Sequence, residues 1–382
     1  MPAWTPTHQQ NLHMVVDCGR SITSDRSQSP APSRKILVAD EGNPNNRSAL
    51  AAVRALSRGG YETLSTSTGR RTLASTSRLC DHALVVPSIH DPGWLDGVME
   101  ASKACLTVLP ASDAAVVALG GPGAELVDKR VVSQRASRAG LAVPTESAFE
   151  SLRDLVRALP SMTFPIVVKP AVKDGRGLRS VQSFHHPDAV ERLPRDSGAL
   201  VVQPFLAGDM RAVSGVVWKG QFAAVVHQRY IRLWPRTCGV ASAAVTVVPD
   251  TELESRVLDV LGDYQGIFQV QLIGAHLLDI NPRVYGSLPL AVASGANLPA
   301  VYCDLLGGRK LEAPKRAEPG VRYRWTEGDA RALAGGVRAH DLSMAEAVRA
   351  LRPRRRTAHS LEDVRDLKPL LLRGYNVVRR LR

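Results

Sequence analysis

The stretch IFQVQLIGAHLLDINPR, residues 267–283, is the most informative part of the sequence for the fold. Two apolar runs flank Gly-Ala-His, which predicts a β-hairpin. Side chains two positions apart share one face of a strand, so Asp279, Asn281 and Arg283 are expected to point the same way. Three polar groups that converge at the end of one strand indicate a binding or catalytic site.

The register of this hairpin depends on the length of its loop. A three-residue loop at residues 274–276 would set Gln271 across from Asp279 on the same face, whereas a two-residue loop would put the two side chains on opposite faces. We expect Leu278 and Ile280 to point into the core, because they alternate with the polar positions.

Oxygen ligands at positions 271, 279 and 281 would form a hard set that suits Mg²⁺. Arg283, two residues farther on, would hold an anion or a developing negative charge against that metal. The alternative interpretation is an exposed edge strand that carries an Asp–Arg ion pair. The spacing alone leaves both interpretations open.

Short strands and helices alternate between residues 35 and 122, beginning with the strand KILVAD and a helix over 47–58. This alternation predicts a small parallel sheet that is covered on both sides. The chain contains neither a G-x-G-x-x-G fingerprint nor a G-x-x-x-x-G-K-[ST] loop. A dinucleotide site and a Walker-type nucleotide site are therefore unsupported.

A second predicted hairpin has a lysine near the end of its first strand. Residues 164–170, FPIVVKP, form an apolar strand that contains Lys169, and the turn after it contains Gly175 and Gly177. Such a strand-turn-strand can place an ammonium group and free backbone N–H groups around a polyphosphate. The alternative is a surface hairpin with a solvated lysine. The strands predicted after residue 199 indicate antiparallel pairing.

An ordered series of motifs resembles that of the ATP-grasp enzymes. The motifs are Asp128-Lys129, the strand 164–170 with its glycine turn, VQPFLAG at 202–208, VQL at 270–272 and DINPR at 279–283. The segment 284–299 is similar to the helix that follows in carbamoyl-phosphate-synthase-like and carboxylate-amine ligase members. The resemblance covers residues 35–308, and the ordered series is more specific than any single motif.

The resemblance implies a nucleotide clamped between two sheets, with ATP and Mg²⁺ as cofactors. The nucleotide-binding residues it implies are Lys129 and Lys169 at the phosphates, Gly175 and Gly177 in the glycine turn, Gln203, Pro204 and Phe205 at the adenine, and Asp209 near the ribose. The implied metal ligands are Gln271, Asp279 and Asn281. Arg283 is the implied catalytic residue, which would steady the phosphorylated intermediate.

Two positions depart from the family's pattern. The family usually has Glu where this chain has Asp279, which is one methylene shorter, so metal bridging can be looser. The acidic residue that contacts ribose in the family is Met210 here. Asp209 could substitute for it, although from a strand it would face the other way.

We expect an α/β and α+β chain with a small parallel-sheet N-terminal domain, a two-subdomain ATP-grasp fold and a basic C-terminal extension. The predicted parts are a disordered leader at 1–34, a Rossmann-like domain at 35–122, an ATP-grasp domain at 123–310 with a lid near 164–207, and the extension at 311–382.

The activity that the resemblance implies is that of an ATP-dependent ligase. It would phosphorylate a small-molecule carboxylate to an acyl phosphate and condense that with an amine, giving an amide, ADP and phosphate. The alternative is a non-catalytic ATP-binding protein that acts through a partner or a membrane surface.

The formal net charge of +13 on 382 residues is concentrated in the tail, where residues 349–382 contain 11 Lys or Arg and 3 Asp or Glu. The tail matches no nucleic-acid reading module, so we expect a solvated face rather than a specific nucleic-acid site. Weak contact with a membrane surface or an acidic partner is the alternative. Pro369 and Gly374 argue against a long helix there. No export signal opens the chain, which predicts a cytoplasmic location.

Overall fold

The computed structural model describes residues 33–172, 177–178 and 180–381. Almost all of the predicted leader therefore lies outside the described residues. The described chain is a mixed α/β structure with one parallel sheet and two sheets of mainly antiparallel strands, as predicted. None of its helices has the length and apolar character that a membrane crossing requires.

The strands of the described chain are β1 Lys35–Ala39, β2 Glu62–Ser67, β3 His82–Val85, β4 Thr107–Pro110, β5 Ser147–Phe149, β6 Ile166–Pro170, β7 Gln182–Phe184, β8 Leu200–Pro204, β9 Met210–Trp218, β10 Gln221–Trp234, β11 Val240–Thr246, β12 Gly266–Ile273, β13 His276–Asn281, β14 Lys315–Arg316, β15 Arg322–Arg324 and β16 Thr357–His359. Its helices are α1 Arg47–Arg58, α2 Leu73–Thr76, α3 Trp94–Ser102, α4 Asp113–Leu119, α5 Pro122–Glu125, α6 Lys129–Arg138, α7 Leu152–Ala158, α8 Pro187–Glu191, α9 Thr251–Leu261, α10 Leu288–Ala293, α11 Leu298–Leu306, α12 Thr326–Arg338, α13 Met344–Leu351 and α14 Lys368–Leu381, with a 3₁₀ helix at Leu159–Ser161.

The first sheet has the strand order β3-β2-β1-β4, and its neighbouring strands are parallel. Ile36 and Val38 pack in one core cluster with α1, while Leu37 packs in another with Trp94 and Val98 of α3. Burial on both faces is the reason why β1 is a continuous apolar run rather than an alternating one. The predicted parallel sheet is confirmed.

The central sheet has eight strands in the order β13-β12-β9-β10-β11-β15-β16, with β14 beside β10. Lys219 and Gly220 join β9 to β10 with φ values of 50° and 73°. Positive φ at both positions belongs to the type I′ turn, whose twist suits antiparallel strands. The predicted change to antiparallel pairing is confirmed.

The third sheet, in the order β5-β8-β6-β7, is antiparallel. Ile166 and Val168 of β6 belong to its core cluster. Lys169 points to the other face, because side chains alternate along a strand. Val167 pairs with Gln203 of β8, so these two residues share the face of Lys169.

The hairpin of β12 and β13 has a two-residue loop, yet Gln271 still faces Asp279. The register shifts by one residue before Asp279, which makes Leu278 an extra, bulged residue. The bulge compensates for the short loop. The expectation that Leu278 points into the core is wrong, since it lines a cleft, and Leu277 joins Ile280 in the core instead.

The chain after residue 310 supplies β14, β15 and β16 to the central sheet. The predicted domain boundaries, including the basic extension at 311–382, stay predictions. The expectation that Pro369 and Gly374 prevent a long helix is wrong, because α14 includes both. Pro369 lies in the first turn, where a backbone N–H has no helical acceptor.

A buried ion pair fastens the C-terminal segment to α1. Arg54 Nε lies 2.9 Å from Asp366 Oδ2, and these side chains are 5% and 0% exposed. Arg54 Nη2 also donates to the Leu361 carbonyl oxygen at 3.0 Å, and Ser77 Oγ donates to Asp366 Oδ2 at 2.6 Å. Burial opposes the charge of Asp366, but the hydrogen bonds from Ser77 and Arg54 outweigh it and hold its pKa below the ordinary value.

Asp40 follows β1 and is 1% exposed. Its Oδ1 accepts hydrogen bonds from Asn46 Nδ2 at 2.7 Å and Glu41 N at 2.8 Å. Its Oδ2 has no hydrogen-bond partner within the described residues. Burial raises the pKa of the Asp40 carboxyl to about 7, in spite of the hydrogen bond from Asn46.

We expect Asp366→Ala to lower the free energy of unfolding by about 3 to 5 kcal/mol, because Arg54 is left buried without its partner. Urea unfolding followed by circular dichroism measures the loss. The control is Asp363→Ala, which removes a more exposed ion pair with Arg58 and should cost about 1 kcal/mol or less. Equal losses in the two variants would contradict the special role of the buried pair.

The raised pKa of Asp40 predicts that stability falls with rising pH. Between about pH 4 and pH 7 the folded protein keeps a proton on Asp40 that the unfolded chain has lost. From about pH 5 to about pH 8 the wild type should lose roughly 2 to 3 kcal/mol more unfolding free energy than Asp40→Asn. Urea titrations at both pH values test this, with Asp263→Asn at an exposed aspartate as the control. If the unfolding free energy of Asp40→Asn fell with pH as much as that of the wild type, the raised pKa of Asp40 would not be the cause.

Candidate functional site

Six predicted site residues meet in one cleft, which we call the lysine cleft. They are Lys129, Lys169, Gln203, Phe205, Gln271 and Asp279. They come from α6, β6, β8 and the residue that follows it, β12 and β13. The structure therefore brings together the two lysines with two of the three residues proposed to hold a metal.

Both lysines of the lysine cleft are buried and paired with carboxylates. Lys129, the first residue of α6, forms an ion pair with Asp279. Lys169 Nζ lies 2.7 Å from Glu146 Oε1 and donates to the Leu278 carbonyl oxygen at 3.4 Å. A buried ammonium group needs such partners, because desolvating an isolated charge is costly.

The rest of the lysine cleft is largely apolar. This wall includes Val167, Phe205, Leu206, Met210, Ile273 and Leu278. Gln203 is 6% exposed, and its buried Oε1 has no hydrogen-bond partner in the part of the chain that the structure describes. A buried acceptor of this kind is costly unless a donor reaches it. The cleft suits a ligand with an apolar ring, a hydrogen-bond donor and an anionic group.

Two of the three predicted metal ligands line the lysine cleft, and the third lies just beyond it. Gln271 and Asp279 are direct cross-strand neighbours, and Gln271 Nε2 donates to Tyr230 OH at 3.0 Å. Asn281 shares their face, and its Oδ1 accepts from Arg283 Nη2 at 2.9 Å. The described residues contain no group of three or more His, Cys, Asp or Glu that could hold a metal. One carboxylate with carboxamide oxygens fits Mg²⁺ rather than zinc.

Arg283 connects Asn281 to a second cleft. Its Nε donates to Asp113 Oδ1 at 2.5 Å, and its Nη1 donates to the Val284 carbonyl oxygen at 2.9 Å. Burial works against the charge of Arg283, but Asp113 outweighs that effect and raises its pKa. The guanidinium therefore stays charged where it borders the cleft.

The second cleft, which we call the sheet-edge cleft, lies at the carboxyl ends of β1 and β4. It has a volume of about 620 Å³, and its charged or titratable lining residues are Glu41, His90, Asp113 and Arg283. Open α/β sheets bind ligands at this edge. Burial and the negative charge of Asp113 raise the pKa of Glu41. An acidic wall and one arginine thus face the same space.

Four predicted nucleotide-binding residues do not line the lysine cleft in this structure. Pro204 and Asp209 are exposed. Gly177 packs against Ser197, whose carbonyl oxygen would lie 2.3 Å from an added Cβ. Gly175 is outside the described residues. The nucleotide contacts of these four residues stay predictions.

Three carboxylates of the site were not predicted from the sequence. Glu146 pairs with Lys169, Asp113 pairs with Arg283, and Glu41 lines the sheet-edge cleft. Glu41 and Asp113 come shortly after parallel strands, and that position was a usable signal. The sequence around Glu146 gives no comparable indication of a site, because its partner Lys169 belongs to another element.

A family model described as "ATP-grasp in the biosynthetic pathway with Ter operon" matches residues 196–329. No curated protein sequence matches the chain. The sequence comparison therefore rests on the part of the chain that runs from β8 to α12.

Several solved structures have a similar fold at low sequence identity. L-amino acid ligase from Bacillus licheniformis is 14% identical, with a TM-score of 0.54 over 73% of this chain and 75% of that chain. N5-carboxyaminoimidazole synthetase from Staphylococcus aureus, complexed with ADP, is 12% identical, with a TM-score of 0.56 over 75% and 80%. Biotin carboxylase from Campylobacter jejuni is 14% identical, with a TM-score of 0.54 over 76% and 74%. The predicted resemblance to the ATP-grasp superfamily is thus confirmed by the family model over residues 196–329 and by this shared fold.

Proposed function

We propose that this protein is an ATP-dependent ligase that joins a carboxylate to an amine. A carboxylate oxygen would attack the γ-phosphorus of ATP, which gives an acyl phosphate and ADP. The amine nitrogen would then attack the acyl carbon, phosphate would leave, and loss of a proton from nitrogen would give the amide. This chemistry needs positioning and charge neutralisation rather than a protein nucleophile.

The observation that carries the proposal is the row of polar side chains that joins the two clefts. Asp279 lies in the lysine cleft and Arg283 in the sheet-edge cleft. Asn281 lies between them and accepts a hydrogen bond from the arginine. A phosphoryl group that moves from a nucleotide in the first cleft to a carboxylate in the second would pass along this row.

The side chains of the lysine cleft suit ATP, but the cleft has a volume of about 90 Å³, so its walls would have to move apart when the nucleotide binds. Lys129 and Lys169 would hold its phosphates, and the apolar wall would take the base. Gln203 Oε1, which has no partner within the described residues, would accept a hydrogen bond from the base. The Staphylococcus aureus synthetase, whose fold is similar, was solved with ADP.

The oxygen ligands beside this cleft fit Mg²⁺. Asp279 would hold the ion with its carboxylate, and Gln271 and Asn281 would add carboxamide oxygens. When bound, the ion would neutralise charge on the phosphates. Lys129, which is paired with Asp279, would turn from that carboxylate toward a phosphate.

The sheet-edge cleft would hold the two substrates. Arg283 would contact the carboxylate and the acyl phosphate made from it, because guanidinium groups match oxyanions with paired donors. Glu41 would attract the amine, and its raised pKa suits it to accept a proton from that amine.

A non-catalytic ATP-binding protein is the second candidate, and Met210 favours it. Met210 lines the lysine cleft at the position where ATP-grasp enzymes have an acidic residue for the ribose. Asp209 beside it is exposed. Nucleotide would then bind without turnover, and a partner or a membrane surface would carry the function.

We expect release of ADP and phosphate only when Mg²⁺, ATP, a carboxylate and an amine are present together. A panel of amino acids and other small carboxylates, each paired with amines, tests this with a coupled ADP assay. Arg283→Lys should lower kcat roughly 100-fold, because an ammonium group cannot replace the guanidinium fork. Binding of ATP with Mg²⁺ but no ADP release from any pair would contradict the ligase and favour the second candidate.

Lys169→Ala should weaken ATP binding roughly 10- to 100-fold, since a charge-assisted contact of about 1.5 to 3 kcal/mol is lost. Titration calorimetry measures the affinity. The double variant Lys169→Ala/Glu146→Gln separates the lost phosphate contact from the effect of an unpaired carboxylate. Lys310→Ala, at an exposed lysine, is the control. Unchanged affinity in Lys169→Ala would show that the nucleotide binds elsewhere.

A further inference from the structure

A cluster of arginines lines a small cavity beside the central sheet, which we call the arginine pocket. The arginines are Arg232 of β10, Arg322 and Arg324 of β15, and Arg354 in the segment after α13, and the cavity has a volume of about 110 Å³. Arg229 of β10 is close enough to act on the charge of Arg322. Neither of the clefts described above contains any of these residues.

The arginine pocket and the lysine cleft lie on opposite faces of the central sheet. The register through β11 aligns Arg229 with Arg322, and it aligns Tyr230 with Tyr323 in the neighbouring row. Neighbouring rows of a sheet point to opposite faces. Tyr230 OH accepts a hydrogen bond from Gln271 of the lysine cleft. The row of Arg229 and Arg322 therefore faces away from that cleft.

The arginine pocket has more positive than negative charge. Asp329, which is fully buried, lies 2.6 Å from Arg232 Nε and 3.2 Å from Arg324 Nε. This carboxylate balances only one of the two arginines. Arg322 and Arg354 form no ion pair with any residue that the structure describes.

The excess charge acts most strongly on Arg322. Burial, followed by the charges of Arg354, Arg229, Arg324 and Arg232, lowers the pKa of its guanidinium. These four guanidinium groups repel the half-buried guanidinium of Arg322. An anion bound among the five groups would attract all of them and offset this repulsion.

Two largely buried arginines elsewhere in the described chain have carboxylate partners, since Arg54 pairs with Asp366 and Arg373 with Glu327. Arg47, which is part-buried, instead donates to Tyr323 OH and lies over the Trp325 ring. The arginine pocket differs from these sites because it gathers several guanidinium groups around one cavity.

We propose that the arginine pocket binds a phosphate group, either as inorganic phosphate or as the phosphate monoester of a small molecule. Guanidinium groups hold such oxyanions with paired N–H donors. The cavity of about 110 Å³ has room for one phosphate group. The site stands apart from the lysine cleft and does not depend on the proposed ligase activity.

Thermal unfolding of the full chain without nucleotide tests the proposal. Inorganic phosphate and glycerol phosphate are titrated separately, against sodium chloride of equal ionic strength to account for screening. At least one of them should raise the midpoint in a saturable way by about 2 °C or more, because a ligand that binds only the folded state stabilises it. The more effective probe identifies the source of the phosphate.

Substitutions locate the effect. Arg322→Gln and Arg354→Gln should lose the rise, whereas Arg153→Gln, at an exposed arginine of α7, should keep it. Without phosphate, Arg322→Gln should be at least as stable as the wild type, because one of the mutually repelling charges is gone. Arg354 is exposed, so its variant reports on the pocket even if Arg322→Gln fails to fold.

Phosphate can also bind at the lysine cleft, so Lys169→Ala is measured alongside. A rise that survives in Lys169→Ala and is lost in Arg354→Gln supports the arginine pocket. The proposal is overturned by the absence of a rise, by its persistence in both arginine variants, or by its loss in Lys169→Ala alone. Binding of an RNA oligonucleotide that requires Arg354, with no effect of either small phosphate, would also overturn it.

Discussion

The single-residue bulge at Leu278 is the constraint on which the site depends. With its two-residue loop and no bulge, β13 would be shifted by one position, and Asp279 and Asn281 would face away from Gln271, because facing alternates at each residue. The inserted residue restores the pairing. It also turns the Leu278 carbonyl oxygen toward Lys169. The placement of Gln271 and Asp279 side by side in the lysine cleft thus depends on one bulged residue.

Charge compensation between elements then holds the polar groups in place. Lys169 is paired with Glu146, and Arg283 with Asp113, and each pair joins two separate parts of the fold. Breaking such a pair leaves a buried charge without a partner, which costs far more than breaking a pair in solvent. The same pairs are suited to exchange, because an anionic ligand can take the place of a carboxylate beside a cation.

The central sheet allows one strand to serve two environments. Along β10, Tyr230 points toward the lysine cleft and contacts Gln271, while Arg229 next to it points to the other face. β15, which follows residue 310, adds Arg322 to that other face. The C-terminal strands are therefore part of the sheet that carries the site, and β15 adds Arg322 and Arg324 to the face opposite the lysine cleft.

The sequence by itself determined the main strands and helices around the site and the residues that share a strand face. The shared face of Asp279 and Asn281 was predictable because alternation is a property of the local backbone. Only the tertiary structure decided which charges meet, since Arg283 and Asp113 stand 170 positions apart. It also decided the bulge that corrects the hairpin register. Long-range pairing depends on how whole elements pack, and a local pattern of residue types carries no information about it.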